Sequence, residues 1–535
     1  MRPWPCIAIA VCLLGSIRPQ DAPEVATDKG RVRGETIQVG EQSVAVFRGI
    51  PFAAPPLDAL RWRPPQPVKE WDGVRTCGHF APACPQPSEL SYGLSFTEQS
   101  EDCLYLNVWS AATDAQERRP VMVWIHGGGN IIGGAASPFY DGRHLATRGV
   151  VVVTIQYRLG VFGFLAHPAL TKEAKEKDGI AASGDYGLMD QIAALQWVQR
   201  NIAQFGGDAG RVTIFGESAG AVDVSLLMAS PLAKGLFHRA IAESGSYNRN
   251  TPSLSEGSGL MQPAAHLTGR KVAERFDIEG EDADALEALR ALSVEKLLTV
   301  PVSIGSIGSG SASDRALKIG PCVDGRVLTE APGKVWQEGR MHLVPFIAGS
   351  NLDDGSVFSR ASPIRRLGGY RLAARGLFGR DADEVLALFP AADDDAVPQA
   401  VHELITVMSF AAPARRMCRD VSAAGGRAWL YQFTQPPRCG RDGKQQVVHG
   451  AEIPFVFGTF SALGDDEARA VSDQVMQRFC AFARDGDPNP KGLEPIWPAH
   501  DAKDDRHLQL GTPLEVGSGL GREACDLFDG MARQR

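Results

Sequence analysis

Residues 212–220 read Val-Thr-Ile-Phe-Gly-Glu-Ser-Ala-Gly, a β-branched and aromatic run that stops at a GxSxG turn and continues into Ala-Val-Asp-Val-Ser-Leu-Leu-Met, a helical stretch. A serine at a sharp strand-to-helix turn exposes its hydroxyl, and Gly216 and Gly220 supply the small neighbours that such a strained backbone needs. The amide of Ala219 and the positive end of the helix then point toward any oxyanion formed beside Ser218. A serine hydroxyl is a weak nucleophile at neutral pH. Chemistry on an acyl group therefore needs a base, an acid that orients it, and donors for the oxyanion.

The donors are the easiest to find. Val121 to Ile125 reads as a strand, and His126-Gly127-Gly128-Gly129 follows at once, matching the HGGG-type loop that presents backbone N–H groups to a reacting carbonyl. Gly128 and Gly129 join Ala219 as candidate oxyanion donors, and His126 is expected to shape the loop. For the base, four histidines follow a plausible acid: His402, His449, His500 and His507. His402 falls in a helical stretch, and His500 and His507 sit in a polar, Asp-rich segment expected at the surface. His449 follows Gln-Gln-Val-Val and precedes Gly450, a turn beside a later strand where a general base could move. For the acid, Leu343 to Ser350 reads as a buried strand, and Asn-Leu-Asp-Asp-Gly follows its carboxyl end. Asp353 and Asp354 are the two candidates, with an Asx turn as the competing explanation.

The elements that must hold these groups apart are legible in outline. Residues 187–205 place apolar side chains at three- and four-residue spacing, an amphipathic helix that Gly206-Gly207-Asp208 ends. Helix, glycine stop, strand, elbow and helix make one α/β unit. Further strands are expected at 104–109, 120–125, 150–157, 239–243 and 344–349, and residues 29–50 alternate as an N-terminal antiparallel hairpin. Residues 251–340 and 360–430 are helical in period and are expected as insertions forming a gorge or cap. The fold class is thus α/β: an α/β-hydrolase fold with a large, mostly parallel central sheet and flanking helices. No linker separates independent domains, so residues 21–535 are expected to form one domain.

At 44% hydrophobic and 22% charged residues, the chain can bury a large core. The net charge of −8 and the lack of any Lys/Arg-rich block argue against a nucleic-acid partner. Arg2 followed by the apolar run Cys6 to Gly15 reads as a signal peptide over residues 1–20, which predicts a secreted or periplasmic protein without a stable membrane anchor. Export is consistent with disulfides. Cys84 and Cys103, flanking a polar, Ser-rich loop, are the expected bridge, worth about 3 kcal/mol on a chain-entropy basis. The pairing of Cys77, Cys322, Cys418, Cys439, Cys480 and Cys525 is left open, with buried free thiols as an alternative. No CxxC or HExxH pattern supports a metal site, and no cofactor is expected.

The chain resembles the type B carboxylesterases, the cholinesterase-like branch of the α/β-hydrolases. The motifs that carry the likeness are Phe-Arg-Gly-Ile-Pro-Phe-Ala-Ala-Pro-Pro (47–56), Ser-Glu-Asp-Cys-Leu-Tyr-Leu-Asn (100–107), His-Gly-Gly-Gly (126–129), Tyr-Arg-Leu-Gly-Val-Phe-Gly-Phe-Leu (157–165), Phe-Gly-Glu-Ser-Ala-Gly (215–220) and His-Gly-Ala-Glu-Ile-Pro-Phe-Val-Phe-Gly (449–458). The resemblance implies Ser218 as nucleophile, His449 as general base and acid, and Asp354 as the orienting carboxylate. It also implies Gly128, Gly129 and Ala219 as oxyanion donors, Glu217 and Ser244 as polar support, and the Cys84–Cys103 bridge. Most members carry Glu where this chain has Asp354, so the shorter carboxylate must be brought closer by ~1.5 Å, one C–C bond length.

The segment between Cys84 and Cys103 holds Tyr92 and Phe96 but no Trp, so the cation–π site of the cholinesterases is missing and a choline ester is not the expected substrate. The expectation is an exported serine hydrolase of small-molecule carboxylic esters. Its rivals are an amidase or thioesterase with the same triad, and a binding or adhesion protein on the same scaffold. Arg360, Arg365 and Arg366 would favour an anionic ester if they faced the gorge, and otherwise form a solvated helix face.

Overall fold

The computed structural model describes residues 22–87, 98–247, 251–258, 262–302, 316–436, 446–459 and 465–534. The expected signal peptide, Cys439, and the loop carrying Tyr92 and Phe96 lie outside the described residues.

Eleven strands form the main sheet: β1 (Glu35–Val39), β2 (Gln42–Pro51), β3 (Tyr105–Ser110), β4 (Arg119–Ile125), β5 (Val151–Ile155), β6 (Gly207–Glu217), β7 (Arg239–Glu243), β8 (Phe346–Asn351), β9 (Ala428–Phe433), β10 (Arg506–Leu510) and β11 (Glu515–Ser518). Their spatial order is β11-β10-β9-β8-β7-β6-β4-β5-β3-β2-β1. The run from β5 through β4, β6, β7, β8 and β9 to β10 is parallel. Antiparallel pairs close both edges, β1–β2–β3–β5 on one side and β10–β11 on the other. This is the α/β-hydrolase fold, with a large mixed sheet between flanking helices.

The central strands are apolar at nearly every position because both faces are covered. Val121, Val123 and Ile125 of β4 pack into one core with Val153 and Ile214; Met122 and Trp124 point the other way, against Phe215, Ile241 and Trp429. That is the period-two alternation of a strand. The amphipathic stretch before the elbow forms α1 (Tyr186–Asn201), continued by a 3₁₀ turn over Ile202–Phe205, and the elbow opens α2 (Ala219–Ala229). Residues 251–340 carry helices at Ala265–Glu274, Ala283–Arg290, Val294–Leu298 and Pro332–Gln337, as their periodicity predicts.

The end of the 360–430 stretch departs from that expectation. Ala428–Phe433 is strand β9 rather than helix, and β10 and β11 follow in a segment that carried no strand signal. Six residues, five of them apolar, are too few for periodicity to separate strand from buried helix. Before it, α3 (Val397–Thr406) and α4 (Ala412–Ala423) are joined by one π-helical turn over Val407–Ala411. Among the described residues no helix is long and apolar enough to cross a membrane.

Candidate active site

Three strands deliver the site, all from their carboxyl ends: β6 ends on Glu217, β4 runs into the glycine loop, and β8 runs into the acidic turn. Ser218 sits between β6 and α2 with φ 56° and ψ −122°, a conformation that a residue with a Cβ adopts only when its surroundings enforce it. Here the enforcement is visible. Its N–H donates to the Glu243 carbonyl at 2.9 Å, and its own carbonyl accepts from Val222 N–H at 3.0 Å. A Cβ at Gly220 would lie 2.0 Å from the Ile125 carbonyl, so only glycine lets the helix start this close to β4.

The glycine loop packs directly on the elbow. A Cβ on Gly127 would come within 3.0 Å of the Ser218 Cβ, and Gly128 and Gly129 take positive φ of 111° and 66°. His126 is fully buried, stacks on Tyr157 with centroids 4.5 Å apart, and pairs its Nδ1 with the Gly127 carbonyl at 2.9 Å. Burial pushes its pKa down to about 4, so it is a neutral, loop-shaping ring.

The acid and the histidine meet. Asp354 is fully buried, and its Oδ1 lies 2.8 Å from Nδ1 of His449. The other oxygen accepts from the Ser244 hydroxyl at 2.9 Å and the Asn351 N–H at 2.6 Å. Asp353 faces elsewhere, accepting from the Val447 N–H at 2.9 Å and lying 3.6 Å from His402. Ser244 thus supports the acid. Glu217 touches the histidine itself: its Oε1 is 3.2 Å from His449 Nε2. That Nε2 has no hydrogen-bond partner among the described residues, so the structure brings His449 to the elbow without a bond to the Ser218 hydroxyl. Such bonds are often unmade before substrate is present.

Several groups here were not found by motif reasoning. Phe358 and Phe410 flank His449 at centroid distances of 5.1 and 4.8 Å, and Phe410 comes from the π-helical turn, a device common at functional sites. Glu452, within the quoted His-Gly-Ala-Glu motif, is buried and accepts from Asn351 Nδ2. Glu243 is wholly buried, and neither of its carboxyl oxygens has a partner among the described residues.

This gathering of carboxylates sets the electrostatics. Burial alone would lower the His449 pKa, but Glu217, Asp354 and Glu452 outweigh it and push it up to about 9. Burial raises Glu217 to about 7, with His449 opposing and Asp354 adding. Glu452 rises to about 8 by burial, Glu217 and Asp354, against the Asn351 bond. Each added negative charge favours a proton on its neighbours.

The expected placement of two later histidines is corrected. His500 and His507 are buried rather than at the surface, and His500 Nε2 pairs with Asp505 at 3.3 Å; the Asp-rich stretch is polar because it carries its own ion pairs. Cys84 and Cys103 do adjoin, yet both are buried free thiols, the Cys103 thiol pushed up by its hydrogen bond to Cys84 and by burial. Cys77, Cys322, Cys418, Cys480 and Cys525 are also free and buried. Arg360, Arg365 and Arg366 are exposed, and Arg365 binds the Ser359 and Arg360 carbonyls.

Known esterases are similar to this chain over most of its length. The profile described as "Carboxylesterase family" matches residues 21–370 and 381–528. The chain is 36% identical to fumonisin B1 esterase of Sphingopyxis macrogoltabida, over 92% of this chain and 87% of that protein. It is 35% identical to liver carboxylesterase 1 of Oryctolagus cuniculus, over 97% and 95%. Among solved structures a PNB esterase superposes with a TM-score of 0.78 at 32% identity, covering 94% of this chain and 99% of that one.

Proposed function

The chain belongs to the carboxylesterase family and is a carboxylic ester hydrolase, and from that premise we infer that it works through a Ser218–His449–Asp354 triad and an acyl-enzyme. The observation that carries the reading is the 2.8 Å pairing of Asp354 with His449 Nδ1, which leaves Nε2 facing the elbow. Asp354 fixes the tautomer and steadies the imidazolium that forms. His449 takes the Ser218 proton as the hydroxyl attacks the ester carbonyl, then passes it to the leaving alcohol; water repeats the sequence to release the acid. The amides of Gly128, Gly129 and Ala219 hold the oxyanion, each such donor being worth about 3 kcal/mol at the transition state. The substrate is a small-molecule ester.

Asp354, shorter than the family's usual Glu, suffices because Asn351 and Ser244 hold its carboxylate toward the ring. Export in the secreted or periplasmic sense rests on Arg2 and the apolar run of residues 6–15. In an oxidising compartment the adjoining Cys84 and Cys103 thiols would form the expected bridge. Steady-state hydrolysis of a matched ester and amide by wild type and Ser218→Ala tests the reading. The ester should be cleaved far faster, with kcat falling on the order of 10⁴–10⁶-fold in the variant. A faster amide would make the protein an amidase, and an unaffected Ser218→Ala would remove the serine from the mechanism.

A further inference from the structure

A cavity of about 250 Å³ opens beside the elbow, its wall including Gly129, Ala219 and Lys318. The amine of Lys318 is shielded from solvent and has no hydrogen-bond partner among the described residues, although the rest of the side chain is only partly buried. Among the described residues, burial alone lowers its pKa. A shielded ammonium without a counter-charge is costly. The backbone on both sides is held by hydrogen bonds. Leu317 N–H donates to the Pro301 carbonyl at 2.6 Å, and Cys322 N–H donates to Asp185 Oδ1 at 3.0 Å.

Resting on the proposed triad, we propose that this cavity receives the acyl half of an ester whose acyl chain ends in a carboxylate, and that Lys318 is the group that pairs with it. The side of the cavity decides which half enters. A carbonyl oxygen held by the amides of Gly129 and Ala219 leaves the ester's two substituents pointing apart. The leaving alcohol must lie toward His449, which protonates it, and His449 is not part of the cavity wall. The substituent entering the cavity is therefore the acyl chain. Phe164, Leu165 and Ile319 contact its methylenes, and Lys318 meets a terminal anion. Water adds across the ester bond, releasing the alcohol and a dicarboxylic acid. None of Arg360, Arg365 and Arg366 lines this cavity, so they are not the cations that recognise the substrate.

The test compares monoethyl glutarate with ethyl 5-oxohexanoate, which replaces the distal carboxylate by a methyl ketone of nearly the same shape. Wild type should show the higher kcat/KM for monoethyl glutarate. Lys318→Met should lower that value about 10–100-fold, the worth of a hydrogen bond to a charged group, while changing the neutral ester by less than about threefold. Lys318→Arg should keep most of the preference, and it guards against a Lys318→Met chain that fails to fold. A wild type that favours the neutral ester, or an equal loss for both esters in folded Lys318→Met, would overturn the proposal. Failure of the triad reading looks different: Ser218→Ala would then still hydrolyse both esters.

Discussion

Among the described residues two fully buried aspartates, Asp354 and Asp505, each pair with a histidine, and they differ in what else holds the aspartate. Asp505, 3.3 Å from His500, is also gripped by Arg415, whose Nε lies 2.9 Å from both carboxylate oxygens, with Arg522 at 3.5 Å. Burial works to raise the Asp505 carboxyl, but His500 and Arg415 outweigh it and hold it far below the usual range. Among the described residues no arginine binds Asp354. Its other partners are a hydroxyl and a backbone N–H, which orient the carboxylate without cancelling its charge. That charge is left for His449. The comparison teaches that proximity of a histidine to an aspartate does not make a catalytic pair. A carboxylate becomes useful to an imidazolium when neutral donors alone fix it.

The sharpest way to break the comparison is to neutralise each aspartate in turn. Asp354→Asn should lower kcat about 10⁴-fold with little change in unfolding by urea. Asp505→Asn should keep kcat within about threefold and instead cost about 1–3 kcal/mol of stability, because the buried Arg415 loses one charged partner while Asp526 and Asp529 still bind it. Matching effects at both positions would erase the distinction.

Next comes Glu243, a carboxylate with neither arginine nor neutral donor. Burial, with Glu452 and Glu217 adding, pushes its carboxyl far above the usual range. A folded pKa above the unfolded one means the native state binds the extra proton, so stability is lost as pH rises past the unfolded value toward the folded one. Glu243→Gln should remove that loss. Its stability relative to wild type should climb by roughly 1–3 kcal/mol between pH 5 and pH 8, measured by urea unfolding; a constant difference would mean Glu243 does not carry the proton.

A smaller effect is expected at Glu217. His449 must be neutral to act as base, so kcat/KM should rise with pH as the ring loses its proton. Removing a neighbouring negative charge lowers the ring's pKa, and Glu217→Gln should move this acid limb downward by about one pH unit. A limb that stays put would show that Glu217 does not act through the ring. The smallest effect belongs to the exposed arginines: Arg365→Ala and Arg366→Ala should leave kcat/KM for an anionic ester within about twofold.

How much of this was legible follows from how local each signal is. The elbow and glycine loop depend on conformations only certain residues adopt, so Gly216-Glu217-Ser218-Ala219-Gly220 and His126-Gly127-Gly128-Gly129 announce themselves. The choice between Asp353 and Asp354 is not local. Both follow β8, and only the placement of Ser244, Asn351 and His449 in space separates them. His500 was misjudged for the same reason, since the arginine that buries its aspartate lies 90 positions away. Phe410 reaches His449 through a π-helical turn that no hydrophobic period encodes, and β9 was too short to distinguish from helix. Lys318 was invisible because a single lysine in a helical insertion carries no pattern.

The central claim, that His449 and Asp354 activate Ser218, is tested most directly by reacting folded protein with a fluorophosphonate and locating the adduct by peptide mass spectrometry. One adduct on the peptide carrying Ser218 in wild type, formed orders of magnitude more slowly in Asp354→Asn and unchanged in rate in Asp505→Asn, is the predicted result. Folded wild-type protein without an adduct at Ser218, or labelling that Asp354→Asn leaves unchanged, would contradict it.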